Sequence, residues 1–358
     1  MPVTRMPRVP PHKMSGPVSS EDPRWLGFLE AQPEATPFHH PAWSRALAQT
    51  YRFRPLVFLQ TGASGAVVAG MPLLEVPGPM RRSRLMSLPF TDSCPPLATD
   101  VGGLRELTGN LLRWRREARA GQLIVHGALA PQPDVRVVTR AVRHVLPLAA
   151  SGDEVLGRLK GSPLPRAIRK AQREGVEATV SQAHEDLELF YRLHLQTRRR
   201  LGVPVQPRRF LERIWTHLID QGLGFLVLAT YQSQPIAAAL FLAWNGNVIY
   251  KFGASDRRHW ELRPNNLVMW TAIDWACRRG YRQLDFGRSE LDNEGLRDFK
   301  RRWGAMELPL RYSYVAARPP RSTSPVTKRA LAALIQTSPP AVCRALGELL
   351  YGRVMSFA

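Results

Sequence analysis

Hydrophobic and polar residues alternate most regularly from residue 153 onward. Apolar residues at helical spacing predict helices at 165–174, 184–201, 208–220, 266–279 and 296–303. Runs of β-branched, aromatic and small apolar residues predict strands at 176–180, 225–231, 235–244, 248–253, 283–286 and 308–315. Short polar turns join three successive strands, which predicts an antiparallel meander within a β-α-α-β-β-β-α-β-α-β order.

The first half of the chain repeats part of this order. Helices are predicted at 24–32, 41–51 and 104–119, and strands at 56–60, 66–76, 84–88 and 123–128. The hairpin VFLQTGASGAVVAGMPLLEV matches LVLATYQSQPIAAALFLAW in length and turn position, which indicates duplication of one α/β unit. A chain of 358 residues fits two domains of about 150 residues, which we place at 21–150 and 151–317.

The two ends differ from the rest of the chain. Residues 1–20 are basic and rich in proline, and we predict a disordered arm. Residues 318–358 combine a Pro-, Ser- and Arg-rich linker with an amphipathic helix, which either packs on its own domain or lies on an anionic membrane surface. No apolar stretch reaches about 18 residues, so neither a secretory signal nor a membrane-spanning helix is predicted.

Charge and cysteine content narrow the class of protein. The 50 Lys and Arg against 29 Asp and Glu give a net charge of +21, which predicts attraction to nucleic acid, anionic lipid or phosphorylated substrates. A compositional bias toward arginine is the other interpretation. The three cysteines are far apart, form no metal-ligand spacing and leave one unpaired. We expect a cytoplasmic protein without a metal, with peripheral contact at the inner face of the membrane left open.

Candidate chemistry concentrates in residues 248–304. Strand, loop, helix, strand, loop and helix follow one another there, so several side chains fall at the same end of neighbouring elements. These are Asp256, Arg263, Asp285, Arg288, Phe299 and Lys300. Asp285 ends a strand, where its carboxylate either orients an amine and accepts its proton or bonds the amides of the next loop. Asp92, in LPFTDSCPP, is the comparable residue of the first half.

A second concentration of charge lies around RRRLGVPVQPRR. Arg200 and Arg208 in this segment are candidates for binding a nucleotide-sugar diphosphate or an RNA backbone. The pair His39-His40 precedes a helix that begins with Pro, and we expect capping or packing because no third ligand lies at metal-binding spacing.

The meander followed by a helix and a strand is the core order of the GNAT acyltransferase fold, and the chain resembles the Fem/GNAT superfamily. Matching segments include RLGVPVQP, QPIAAALFL, YKFGASD, RPNNLVMWTAIDWACRRGYRQLDFGRS and GLRDFKRRWGA. The resemblance implies an α/β (α+β) protein with tandem GNAT-like domains, each a mixed, largely antiparallel sheet flanked by helices. It also implies transfer of an acyl or aminoacyl group to an amine or hydroxyl of a cell-envelope precursor, such as a peptidoglycan precursor or another glycan or lipid.

The resemblance leaves the donor open. GNAT enzymes that use acyl-CoA generally carry a Gln/Arg-x-x-Gly-x-Gly/Ala loop that holds pyrophosphate at a helix N-terminus. This chain has GASDRRHWELRPNN instead, where Arg257, Arg263 and Asn265 are candidates for binding phosphate and Asp256 for pairing with an arginine. The co-substrate is acyl-CoA, as GNAT kinship implies, or aminoacyl-tRNA, as the Fem branch implies. No permanently bound cofactor is expected.

Phe299-Lys300 matches an FK pair of the Fem group, whose Lys is implicated in stabilising charge during acyl transfer. A fixed charge beside a developing oxyanion lowers the barrier by about 3 to 4 kcal/mol, so we assign Lys300 as catalytic together with Asp285 and Asp92. Arg288 and Phe299 are assigned to substrate binding, although Phe299 also suits a core position. Because no Ser-His-Asp or Cys-His arrangement is evident, direct transfer in a ternary complex is expected. The rival hypothesis is a non-catalytic basic module that binds nucleic acid or anionic membrane.

Overall fold

The computed structural model describes residues 14–77, 83–159, 161–316, 318–319 and 325–353. The described strands form one mixed, largely antiparallel sheet flanked by helices. They are β1 (Met14–Ser19), β2 (Arg54–Thr61), β3 (Val67–Pro77), β4 (Ser83–Ser87), β5 (Leu97–Ala98), β6 (Leu123–Val125), β7 (Val135–Pro147), β8 (Glu177–Ser181), β9 (Gly224–Tyr231), β10 (Gln234–Trp244), β11 (Asn247–Ser255), β12 (Gln283–Ser289) and β13 (Met306–Val315).

The helices flank this sheet. They are α1 (Pro23–Glu30), α2 (Pro41–Tyr51), α3 (Val101–Glu117), α4 (Gly152–Arg158), α5 (Leu164–Arg173), α6 (Asp186–Arg200), α7 (Arg208–Ile214), α8 (Pro264–Arg278), α9 (Glu294–Arg301), α10 (Pro325–Thr337) and α11 (Pro340–Arg353). A π-helical turn (Trp215–Ile219) extends α7, and a 3-10 helix (Arg257–Leu262) precedes α8. From β8 to β13 the elements follow the order that the sequence predicts.

Two tight turns produce the antiparallel meander β9-β10-β11. Gln232 and Ser233 have φ of 49° and 61°, and Asn245 and Gly246 have φ of 49° and 71°. Positive φ at both central residues is the geometry of a type I′ turn, whose twist matches that of the flanking strands. The local sequence therefore determines this hairpin pairing.

The two halves of the sheet mirror each other. The strand order is β1-β2-β3-β4-β6-β13-β7-β12-β11-β10-β9-β8, with β5 beside β3. In each half the outer strands are antiparallel and one pair is parallel, β4 with β6 and β11 with β12. At the centre the halves exchange their last strands. The strand β13 of the second half lies between β6 and β7, and β7 of the first half lies between β13 and β12. This symmetry supports duplication of one unit.

Two observations differ from the sequence-based expectations. Residues 14–19 belong to the predicted disordered arm but form β1, which pairs with β2, so that prediction is wrong for this part; residues 1–13 lie outside the described residues. Backbone pairing with a neighbouring strand satisfies the main chain whatever the composition. The long strand β7 was not predicted. It lies between β12 and β13, although it belongs to the segment that we assigned to the first domain.

The halves also share a hydrophobic core. One cluster of buried residues combines α2 and β3 of the first half with α6, α7 and β9–β11 of the second. Trp43 and Phe210, both fully buried, meet across it with ring centroids 5.8 Å apart. Burial of each such side chain stabilises the fold by about 1.5 to 3 kcal/mol. The two halves are therefore joined by packing as well as by the continuous sheet.

The C-terminal helices α10 and α11 pack on α6. Arg209 forms an ion pair with Glu348 at 2.9 Å, and Arg198 Nη2 donates to the Tyr351 hydroxyl at 3.3 Å. The Tyr351 ring lies 5.3 Å from that of Phe90 in the first half. Of the two arrangements expected for this segment, the structure has the one in which it packs on its own domain. Contact of the segment with a membrane stays a prediction. In the described ranges no helix has the length and apolar character needed to cross a membrane.

Candidate active site

A cavity of about 160 Å³ lies where the two halves meet. The first half lines it with Glu34, Thr36, Phe38, Asp92, Ser93 and Pro95, and the remaining walls are Arg143, Ile249, Asp285 and Gly287. Two of the three residues that we predicted as catalytic, Asp92 and Asp285, thus meet here although they are far apart in the chain.

Asp285 is held at the point where β12 bends. Its Oδ2 accepts a hydrogen bond from Arg143 Nη1 at 3.1 Å, and its Oδ1 accepts one from the Gly287 amide at 2.8 Å. Burial raises the pKa of Asp285. The positive charge of Arg143 and the hydrogen bond from the Gly287 amide oppose this rise, and the negative charge of the nearby Asp92 reinforces it. A carboxyl group with a raised pKa inside a cavity is suited to proton transfer.

Asp92 reaches the same bend from the opposite half. Its Oδ2 accepts from the Arg288 amide at 3.3 Å. Its main-chain carbonyl accepts from the Tyr312 hydroxyl at 2.8 Å, and Arg288 Nη1 donates to that hydroxyl at 3.0 Å. Gly287 has a φ of 72°, and a Cβ there would lie 2.9 Å from Asp92 Oδ2. The close approach of the two halves therefore requires glycine at this position.

Lys300 stabilises this bend from α9, whose first turn is capped by Asn293. Its side chain is 3% exposed, and Nζ donates to the carbonyls of Gly287 at 2.8 Å and Arg288 at 3.0 Å. Burial lowers the pKa of Lys300 to about 8, against the opposing attraction of Asp285 and Asp92. Lys300 does not line the cavity itself, so its position is beside the carboxylates rather than in the space between them.

The strands β11 and β12 diverge beside the cavity. Their parallel pairing covers only Asn247–Ile249 and Gln283–Asp285, while both strands continue further. The register between β10 and β11 shifts at Lys251. Lys251 Nζ donates to the Phe90 carbonyl at 2.6 Å and lies 5.1 to 5.3 Å from three aromatic rings. Burial lowers the pKa of Lys251, with Asp92 opposing.

The predicted phosphate-binding loop lies at the far end of β11. Ser255 lies six positions along the chain from Ile249 at the cavity, which corresponds to about 20 Å along a strand. Around Ser255 the guanidinium of Arg200 lies 4.4 Å from the Trp260 ring, and that of Arg257 lies 5.9 Å from it. Trp260 Nε1 donates to the Ser255 hydroxyl at 2.9 Å, and Asn265 Nδ2 does so at 3.2 Å.

The remaining candidates have structural partners. Asp256 caps the 3-10 helix and pairs with Arg258 at 2.7 Å. Arg263 adopts a left-handed conformation (φ of 59°) at the start of α8.

Arg208 pairs with Glu188 and Glu212 at the surface, away from the cavity and from the loop around Ser255. Arg288 pairs with Glu290. Phe299 packs against the core of the second half. Their roles in substrate binding stay predictions. Among the described residues, no three His, Cys, Asp or Glu side chains gather as a metal site.

Sequence reasoning missed Arg143 and Lys251. Arg143 lies on β7, where arginines interrupt the alternation of the strand, so no pattern placed it near Asp285. Lys251 lies inside a strand that is otherwise apolar or small, and a lysine in such a strand is the signal that could have identified it.

Residues 163–301 match the family model described as an acetyltransferase (GNAT) domain. This part of the chain is therefore similar to a GNAT acetyltransferase domain, and the whole chain shares its fold with solved structures that include FemX and a tandem GNAT protein. A comparison of the sequence with curated proteins gives no match.

Solved structures agree with this fold. FemX has a TM-score of 0.67 and 14% identity, over 84% of this chain and 97% of that chain. The C-terminal domain of a putative lysylphosphatidylglycerol synthetase from Agrobacterium fabrum has a TM-score of 0.54 and 13% identity, over 88% and 95%. A tandem GNAT protein from the clavulanic acid biosynthesis pathway has a TM-score of 0.50 and 13% identity, over 85% and 98%. At these identities the likeness concerns the fold.

Proposed function

We propose that the protein is an acyltransferase that moves an acyl group from an activated ester or thioester to an amine of a cell-envelope precursor. One observation carries this proposal: the carboxylates of Asp92 and Asp285 converge from opposite halves on one cavity. The protein has a net charge of +21, yet the lining of this cavity has three carboxylates, with Glu34 at its exposed rim, against one guanidinium. The buried amines of Lys300 and Lys251 lie outside the lining, next to the two aspartates. A cationic amine fits that local charge better than a neutral hydroxyl.

The transfer follows from the placement of Asp285. An amine that enters as an ammonium gives a proton to the Asp285 carboxylate, and its lone pair attacks the acyl carbonyl carbon. The C–N bond forms while the bond from that carbon to the donor sulfur or oxygen breaks. The second proton that the nitrogen loses passes through solvent to the leaving thiolate or alkoxide, and Asp285 then releases its proton to solvent. General base catalysis by a positioned carboxylate contributes about 10² to 10⁴ in rate. Asp92, beside it, binds the ammonium.

Lys300 acts on this reaction as a positioning residue. Its two hydrogen bonds hold the carbonyls of Gly287 and Arg288, and the amides of these same residues bind Asp285 and Asp92. Loss of Lys300 would therefore release both carboxylates together. Its positive charge also favours the ionised form of Asp285, which is the form that accepts a proton.

The donor is proposed to lie along the diverging part of β11. Its phosphate groups would bind near Arg257, Arg263 and the start of α8, because guanidinium groups bind phosphate through paired hydrogen bonds. Its acyl carbon would then reach about 20 Å along the strand to the cavity. Acyl-CoA is the donor we propose, since the GNAT domain match supports it. Aminoacyl-tRNA is the alternative that the Fem resemblance raised.

We propose the cell envelope as the source of the acceptor because of two similarities. The chain resembles Fem enzymes in sequence, and one structural neighbour is named for lysylphosphatidylglycerol synthesis. We accordingly propose an acceptor that is a precursor of a glycan or lipid of the envelope, at the cytoplasmic face of the membrane.

Two measurements test the proposed function. Thermal unfolding with CoA, acetyl-CoA or bulk aminoacyl-tRNA identifies the donor, because a ligand that binds only the folded state stabilises it by mass action. Release of free thiol from acetyl-CoA, measured with a panel of primary amines and matched alcohols, then tests the acceptor. We expect turnover with amines that Asp285→Asn lowers by about 10² to 10⁴. Turnover with alcohols alone, or equal turnover in Asp285→Asn, would contradict the proposal.

A further inference from the structure

A groove of about 420 Å³ lies between α6 and the C-terminal helices, outside the cavity described above. One stripe of α6 forms its wall, because Arg192, Leu195, Gln196 and Arg199 follow one another at helical spacing. Arg200 continues this wall. Gln336, at the end of α10, and Pro340, at the start of α11, form the opposite side.

The arginines of this groove differ from their neighbours in their ion pairing. Arg208 and Arg209, a few residues further along the chain, form ion pairs with glutamates. Within the described residues no ion pair joins Arg192, Arg199 or Arg200 to a carboxylate. The Nε of Arg199 is buried without a hydrogen-bond partner. These three arginines line one groove, and an anion bound there would be attracted by their positive charges.

The groove continues toward the donor loop. Arg200 lines it and also lies over the Trp260 ring, close to Arg257. Burial lowers the pKa of Arg200, the positive charge of Arg257 acts in the same direction, and the negative charge of Asp256 opposes both. The far wall is fixed in place by Gln336, whose Nε2 donates to the Arg200 carbonyl at 3.1 Å. The C-terminal helices thus complete a basic groove instead of simply covering α6.

We propose that this groove binds the phosphate group of a ligand, as a monoester or a diester. Guanidinium groups match phosphate oxygens in geometry and form paired, charge-assisted hydrogen bonds with them. A phosphate of this kind has two sources: a nucleotide-bearing donor that reaches over Arg200, or the headgroup of an anionic lipid. Leu334 and Val342, which are 50% and 42% exposed on α10 and α11, border the route that a lipid surface would use.

The first experiment measures binding of inorganic pyrophosphate by calorimetry at low salt. The variant Arg192→Gln with Arg199→Gln is compared with Arg54→Gln and Arg116→Gln, which removes the same charge from two exposed, weakly paired arginines of the first half. We expect roughly tenfold weaker binding or more in the groove variant, since hydrogen bonds to a charged group are lost. The control should bind like the wild type. Equal affinity in both variants would overturn the proposal.

Further arms distinguish the two sources of phosphate. CoA is compared with 3′-dephospho-CoA, and vesicles of phosphatidylglycerol with vesicles of phosphatidylcholine. A preference for CoA that disappears in the groove variant assigns the site to the donor, whereas selective loss of phosphatidylglycerol binding assigns it to lipid. If the groove variant retains every one of these preferences, no phosphate binds there.

A second variant protects the test against a folding defect. Gln196→Glu places a carboxylate on an exposed position of the same stripe, so it should weaken pyrophosphate binding by repulsion without removing any arginine. Thermal unfolding without ligand shows whether each variant folds. Unchanged binding in a folded Gln196→Glu protein would also overturn the proposal. Because pyrophosphate binding involves no acyl transfer, a negative result here leaves the proposed reaction standing.

Discussion

Replacing Lys300 with methionine should change how the stability of the protein depends on pH. Methionine approximates the length of the lysine side chain but carries no charge and no donor. The substitution leaves the carbonyls of Gly287 and Arg288 without the ammonium that now binds them. Each unsatisfied buried carbonyl costs about 1 to 3 kcal/mol, while removal of a buried charge works in the opposite direction.

The pH dependence separates these two effects. Burial lowers the pKa of Lys300 from 10.5 to about 8, which corresponds to about 3 kcal/mol between the folded and unfolded states. Between these two values the unfolded chain binds more protons than the folded protein. The free energy of unfolding of the wild type should therefore gain about 1.4 kcal/mol per pH unit from this group as pH rises from 8 to 10.5. In Lys300→Met this gain is absent.

The assay is urea denaturation at several pH values between 7 and 10.5, followed by circular dichroism. The unfolding free energy of the wild type minus that of Lys300→Met should shift in favour of the wild type across this range by up to about 3 kcal/mol. Lys170→Met, at a partly exposed position of α5, is the control and should run parallel to the wild type. If the wild-type and Lys300→Met curves also run parallel, the ammonium is not the buried group that the structure describes.

Three further predictions concern the surroundings of the cavity. Asp285→Asn should lower kcat by about 10² to 10⁴ while the KM for the donor changes little, and steady-state kinetics with an unchanged kcat would exclude a role as base. Gly287→Ala should destabilise the protein by more than the roughly 1 to 2 kcal/mol that a left-handed alanine costs, because the added Cβ would also meet Asp92. The matched control in urea denaturation is Gly65→Ala, where φ is 83° and no atom lies within 4 Å of the added Cβ. Tyr351→Phe removes one hydrogen bond and should cost about 1 kcal/mol, whereas Tyr351→Ala also removes the contact with Phe90 and should cost about 3 kcal/mol; equal unfolding midpoints for the two variants would show that this ring contributes nothing.

The element order of the second half could be predicted because each of its signals is local. The turn residues between β9, β10 and β11 set the hairpin geometry themselves, and the apolar spacing of α6 and α8 places their buried faces. The strand β7 lacked such a signal. Its arginines obscure the alternation, and its place in the sheet comes from main-chain pairing with β12 and β13, which are distant in the sequence.

The candidate site was predicted in part. Asp92, Asp285 and Lys300 were selected from strand ends and from one short motif, and the structure brings all three to the same bend. From its motif Lys300 was expected to face the reacting group, whereas its ammonium binds two main-chain carbonyls. Its role in catalysis stays a prediction. No local pattern states which way a lysine on a short helix points.

By itself the sequence predicted the order of elements from β8 to β13 and the positions that carry charge at strand ends, because helices and hairpins bond near neighbours along the chain. Only the tertiary structure decided that β7 and β13 cross between the halves. It also decided that the Asp92 carboxylate of the first half meets the bend of β12 in the second half. The contact between Asp92 and the Arg288 amide joins residues 196 positions apart. Such contacts depend on the packing of the whole core, so they have no signature in any short stretch of sequence.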